Sequence, residues 1–126
     1  MRPVSVEKFE RRVDTLKANS GYGFSQEYSS ISKELVHLHS HSSSPVNSLK
    51  NRYANIHCYD HSRVILNRDA NPGSDYINSN YVTGWNGDRE YIAAQGPLPE
   101  TIADFWRMVW EQNSSAIVMV SASRRT

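Results

Sequence analysis

The sequence predicts an α+β domain in which N-terminal helices precede a mixed, twisted sheet with hairpins and one further helix. Three observations predict it. Apolar residues recur at helical spacing between Val6 and Leu38; short β-prone runs separated by turn-formers occupy residues 63–94; and a strongly amphipathic segment follows Pro99. At 126 residues the chain suffices for one modest domain.

Composition excludes several function classes. A formal net charge of +1, from 14 Lys and Arg against 13 Asp and Glu, gives no field for nucleic acid or anionic lipid. The single cysteine forms no internal disulfide. No apolar run approaches the roughly 18 residues of a membrane span, and the N-terminus carries no signal-peptide core. These features predict a reducing, cytoplasmic setting with no membrane contact from this segment.

The elements follow in chain order. Val6, Phe9, Val13 and Leu16 stand three and four apart, with Ser5 as N-cap and Gly21 closing the helix after Asn19 and Ser20. A second helix is expected from about Ser25 to His39, with Phe24, Tyr28, Ile31, Leu35 and Leu38 as its apolar stripe. Residues 37–48 are rich in Ser and His, contain Pro45 and lack periodicity, which predicts a flexible exposed loop. Strands are expected over 63–66, 76–82 and 90–94, with turns at Asn71-Pro72-Gly73 and Asn86-Gly87. The second turn carries the type I′ signal, since Asn and Gly best tolerate its two positive φ angles.

The clearest helix spans 99–112, where Ile102, Phe105, Trp106, Val109 and Trp110 fall at i, i+3, i+4, i+7 and i+8. Pro99 suits its first turn and Glu100 complements the dipole. Trp106 and Trp110 are expected in the core. Residues 116–120 are continuously apolar and predict a strand buried on both faces, which needs neighbours on each side.

Four blocks carry the chemistry: KNRYANI at 50–56, YDHSRV at 59–64, SDYINSNYV at 74–82 and YIAAQGPLPETIADFWRMVWEQ at 91–112. Together they resemble the first half of a classical protein-tyrosine-phosphatase domain, most like those of receptor-type enzymes. The resemblance covers roughly residues 5–120 and is dense from Lys50 onward. It implies that residues 1–126 are the N-terminal portion of a single such domain, with an incomplete form of that fold. The complete domain would hydrolyse phosphotyrosine on proteins through a phosphocysteine intermediate, without cofactor or metal, and its partners would be phosphotyrosine-containing proteins. A parent receptor would be membrane-anchored, with this segment on the cytoplasmic side.

The family's His-Cys-x5-Arg and Trp-Pro-Asp motifs are absent from this sequence, so no catalytic residue is assigned and the chain alone is expected to be inactive. The resemblance assigns substrate recognition instead. Tyr53 would stack on the phosphotyrosine ring, Asn55 would bond the substrate main chain, and Ile56 would form an apolar pocket wall. Stacking of this kind contributes about 0.5–1.5 kcal/mol beyond burial, enough to tune selectivity. The alternative is a non-catalytic phosphotyrosine-binding or regulatory module; a scaffold without any phosphotyrosine connection is a third reading, disfavoured by Tyr53, Asn55 and Gln95-Gly96-Pro97 together.

Cys58 follows His57 and precedes Arg63, but the spacing is Cys-x4-Arg, and Tyr59-Asp60-His61-Ser62 offers no glycine to wrap an anion. A structural role is expected. The resemblance gives Arg52, Asp60 and Arg63 the task of holding the recognition loop, and Gln95-Gly96-Pro97 a positioning role. His37, His39 and His41 alternate as zinc or nickel ligands do in an extended tract, yet no Cys or carboxylate accompanies them, so surface histidines are expected rather than a metal site. The serines at 42–44 precede Pro45 as loop phosphate acceptors would.

Overall fold

The computed structural model describes residues 3–68 and 74–120, which leaves the Asn71-Pro72-Gly73 turn and the last six residues outside the described residues. The chain forms two compact units, Met1–Val36 and His37–Thr126.

In the first unit, α1 (Val6–Ser29) is two helical stretches joined by a reversal. Ala18 is extended, and Asn19, Ser20 and Gly21 adopt φ of 51°, 58° and 78°. The sequence placed the helix end here, and the left-handed residues are those that Asn and Gly tolerate. The reversal brings Arg12 to Glu27 at 2.6 Å. Gly23 is required by this approach, because a Cβ there would meet the Leu16 Cδ2 at 2.7 Å and its Cα at 2.9 Å. Leu16 is the helix's buried residue. Ser5 stands at the N-cap position, but its side chain makes no capping bond.

The second stretch ends at Ser29, well short of His39. Serine chemistry explains the early stop: the Ser30 hydroxyl donates to the Glu27 carbonyl, and the Ser32 hydroxyl accepts from the Glu34 amide. Such bonds offer the backbone an alternative to the helix. The apolar stripe of Ile31, Leu35 and Leu38 consequently stays exposed. Among the described residues, no helix is long and apolar enough to cross a membrane.

The second unit opens with a correction. Residues 37–48 contain a short helix, α2 (Ser40–Ser43), and a 3-10 turn over Pro45–Lys50, with Ser42 and Asn47 buried. The order comes from distant polar partners. Asp60 accepts from the amides of Ser40 at 2.8 Å and His41 at 3.1 Å. Asn47 and Asn51 donate their amide side chains to the carbonyls of His41 and Ser42. Side-chain bonds of this kind replace the apolar periodicity that the segment lacks.

The sheet has order β1-β2-β3, with β1 at Arg63–Ile65, β2 at Tyr76–Val82 and β3 at Tyr91–Ala94. Both pairings are antiparallel, with Arg63 opposite Asn80 and Asn80 opposite Ala93. The three strands stand where the β-prone runs put them, to within a residue at the ends. The β2–β3 connection is not the two-residue type I′ turn. It runs from Thr83 to Glu90, with positive φ at Gly87 and Arg89 and not at Asn86. Glu90 holds this wider loop by accepting from the Asn86 amide and its side chain, at 2.9 and 3.0 Å.

A small core of Val64, Leu66, Ile77 and Met108 lies beneath the sheet, with Tyr81, Ile92 and Phe105 against it. Met108 and Phe105 come from α3 (Ile102–Glu111), which follows a 3-10 turn at Pro99–Thr101. The predicted helix is present, but its expected inner face is largely the outer one. Trp106 and Trp110 are 58% and 84% exposed, and the buried positions are Thr101, Asp104 and Met108. Polar contacts to other elements accompany this orientation: Asp104 meets Lys50 at 2.8 Å, and Arg107, paired with Asp104 within the helix, donates to the Ser74 carbonyl at 3.0 Å. Residues 116–120 form no strand. No described strand hydrogen-bonds to them, and without a ladder partner their apolar side chains remain exposed.

Candidate functional site

The site is built around the turn that follows the 3-10 segment. Asn51 is its hub: the Oδ1 accepts from the Tyr76 hydroxyl at 2.6 Å and the Asn78 amide side chain at 3.0 Å, while Nδ2 donates to Ser42. Asn78 also donates to the Ile56 carbonyl at 3.0 Å, so one side chain in the middle of β2 grips both ends of the turn. Between them, the Ile56 amide donates to the Tyr53 carbonyl at 3.3 Å.

A second clamp comes from the segment after β3. The Gln95 side chain accepts from the Arg52 amide at 3.0 Å and donates to the Lys50 carbonyl at 2.8 Å. Arg52 answers with its guanidinium, donating to the carbonyls of Gly96 and Pro97, each at 2.8 Å. A Cβ on Gly96 would meet that guanidinium at 3.7 Å, an ordinary contact, so nothing among the described residues demands glycine there. The positioning roles expected of Arg52 and of Gln95-Gly96-Pro97 are thus visible, directed at the main chain of residues 50–52.

The three residues assigned to recognition share this fixed turn. Tyr53 is 59% and Ile56 53% exposed, and Asn55 is exposed as well. A held backbone that presents exposed side chains is the preorganisation that a binding surface needs, since less order has to be gained on binding.

Cys58 sits behind the turn and is 1% exposed. Its Sγ lies 3.7 Å from the Tyr76 hydroxyl, and burial pushes the thiol pKa up despite the hydrogen bonds and the nearby Arg63. A nucleophilic cysteine requires the opposite shift. Arg63 is not available to an anion either, being buried and paired with Asp75 at 3.5 Å. Burial also raises the Tyr76 hydroxyl pKa well above the usual phenol range. Asp60 behaves differently: burial opposes its ionisation, but the amides of His41 and Ser40 hold its carboxyl below the ordinary value.

The histidine tract is not extended, because His41 lies in α2 while His37 and His39 pack on other rings. Among the described residues, no group of three or more His, Cys, Asp or Glu side chains is arranged to hold a metal ion. Ser42 is buried with its hydroxyl 3.1 Å from the His57 Nδ1, which removes it as an exposed phosphate acceptor. The sequence reading missed Asn51, Asn78 and Ser42 as the turn's supports. A signal was present in Asn78, an amide at the centre of a strand where β-branched or aromatic residues are usual.

With this geometry in place, comparison with known proteins is informative. The protein-tyrosine phosphatase family pattern matches residues 47–125. Receptor-type tyrosine-protein phosphatase F of Danio rerio is 53% identical over 120 residues, covering 94% of this chain and 6% of that protein. The Homo sapiens protein of the same name is 52% identical with the same coverage. Tyrosine-protein phosphatase Lar-like of Caenorhabditis elegans is 50% identical over 119 residues, 94% of this chain and 5% of its own length. A solved structure, PTPN18 in complex with HER2-pY1196 phosphor-peptides, superposes with a TM-score of 0.64 at 38% identity, covering 86% of this chain and 41% of that one. The chain therefore spans only a small part of the curated relatives it matches.

Proposed function

This chain belongs to the protein-tyrosine phosphatase family, and from that premise we propose that it supplies the phosphotyrosine-recognition turn and part of the scaffold of a phosphatase domain, but not the nucleophile. Tyr53 stacks on the substrate ring, Asn55 bonds the substrate main chain and Ile56 walls the pocket. The reaction of the whole domain is hydrolysis of phosphotyrosine on proteins through a phosphocysteine intermediate. Its thiolate comes from outside this sequence, since the one cysteine here is sealed in the core with a raised pKa. The partners are phosphotyrosine-containing proteins, met on the cytoplasmic side of a receptor.

The observation that carries the reading is the contrast within residues 50–56. Their main chain is fixed by Asn51, Asn78, Arg52 and Gln95, yet the side chains of Tyr53, Asn55 and Ile56 face outward. A residue with a purely packing role would not be left exposed on a turn held by so many bonds.

The test is Tyr53→Ala in a complete phosphatase domain carrying this segment. Loss of stacking and peptide register predicts that kcat/KM for a phosphotyrosine peptide falls about tenfold more than that for a small aryl phosphate, or about 1.4 kcal/mol of selective transition-state binding. Equal losses on the two substrates would refute the assignment.

A further inference from the structure

Four imidazoles meet beside the turn in a pattern that the recognition reading does not use. Residues 37–39 run next to residues 57–61, joined by a bond from the Asp60 amide to the Leu38 carbonyl at 2.8 Å. On this frame His39 stacks on His57, with ring centroids 4.5 Å apart and planes 23° apart. His37 meets His61 edge to face at 4.8 Å and Tyr59 at 5.1 Å. The rings therefore form two rungs, each with one histidine from each segment. Nearly parallel rings cannot aim their in-plane lone pairs at one ion, so the stacked rung is not built for metal.

The stacked rung is also tied, through both of its rings, to serine hydroxyls of α2. His39 Nδ1 is 2.7 Å from the Ser43 Oγ, and His57 Nδ1 is 3.1 Å from the Ser42 Oγ. Ser42 in turn accepts from Asn51 through its carbonyl, so the stacked rung connects to the hub of the turn.

We propose that His37, His39, His57 and His61 form a proton-sensitive clasp that fastens the segment containing α2 to residues 57–61 and opens when the second histidine of each rung becomes charged. One proton per rung leaves a cation against a neutral ring. A second places like charges within 5 Å of each other. Across partly exposed surroundings this repulsion weakens each rung roughly fivefold, or about 25-fold for both. Histidine is the side chain whose charge changes between about pH 5 and 8, and this range is the window to be tested.

The other titratable groups facing the cluster are His41 in α2, Tyr59 and Asp60 between the paired histidines, and Tyr76 and Cys58 behind Ser42. Tyr76 and Cys58 stay neutral in this window because burial raises both. Asp60 stays ionised because its carboxyl is held low. Its one negative charge faces two extra protons, and its oxygens are already occupied by the amides of Ser40 and His41. The proposal stands on the clasp geometry alone and is independent of the role given to Tyr53.

Hydrogen exchange followed by mass spectrometry on the 126-residue chain tests it, with rates corrected for intrinsic pH dependence. Protection of peptides spanning 38–44 and 58–62 should fall roughly tenfold from about pH 7.5 to 5.5, approaching the roughly 25-fold limit only at lower pH, while the β1–β2 peptides change less than about twofold. The double variant H39F/H61F keeps two aromatic rings per rung but only one ionisable group. It should keep its protection at high pH and lose most of the fall. Undiminished protection of the unmodified chain at low pH, or a full fall in the double variant, would overturn the clasp. Should the variant lack protection at high pH, imidazole titration of the unmodified chain by NMR decides. Two-step, mutually dependent curves within each rung are expected, and four independent single-step curves would overturn the proposal.

Discussion

Asp60 and Asp75 show how single carboxylates hold this structure in place. Asp60 anchors α2 through two main-chain amides, and Asp75 binds Arg63 and Arg68. Burial works against ionisation of both, but their partners win and both carboxyls sit below the ordinary aspartate value. A lowered folded value means stability that is present above the unfolded value of about 3.9 and lost as pH falls through the folded one. Acid denaturation followed by circular dichroism should therefore show a transition below about pH 4. Asp60→Asn should flatten it, and an unchanged acid limb would show that the carboxylate does not matter. Individual residues were unevenly legible in the sequence. Cys58 was readable as structural because its spacing to Arg63 is wrong and no glycine lies between. Asn51 was not, because its importance lies in three bonds to partners far along the chain, the nearest of them nine residues away.

Elements were legible where local pattern and burial agree. The run from Tyr76 to Val82 combines β-prone residues with a place at the sheet centre, and β2 has those bounds. Residues 37–48 have no apolar period, yet they fold because Asp60 and Asn51 supply bonds that no local window contains. For α3, periodicity gave the helix but not its orientation. The Lys50–Asp104–Arg107 cluster accompanies a polar edge turned inward, with Trp106 and Trp110 left outside. This arrangement makes a contrasting prediction for the chain. Met108→Ala should cost about 2–4 kcal/mol through loss of a core side chain, whereas Trp110→Gln should change stability by less than about 0.5 kcal/mol. Chemical denaturation of the two variants measures both, and comparable losses would mean that the tryptophan face is covered in solution.

At the scale of the molecule, the described residues carry more apolar surface than one small core can hide. Trp106 and Trp110 on α3 and the side chains of residues 117–120 are exposed, and β3 pairs with β2 on one side only among the described residues. Surfaces of this kind recruit other chains. At micromolar concentration the isolated chain should sediment as more than a monomer, bind a hydrophobic dye and melt with low cooperativity; a monomer with one sharp transition would contradict this. The resemblance to half of a phosphatase domain made the shortage of neighbours foreseeable for residues 116–120, although not which face of α3 would be left open. The function proposed above divides recognition from chemistry, with the recognition turn in this sequence and the nucleophile elsewhere. The most direct measurement is turnover of a phosphotyrosine peptide and of an aryl phosphate by the purified 126-residue chain. The expected result is none on either substrate, because Cys58 is buried, its thiol pKa is raised by burial, and residues 59–62 beside it contain no glycine to wrap an anion. Turnover that Cys58→Ser abolishes would contradict it.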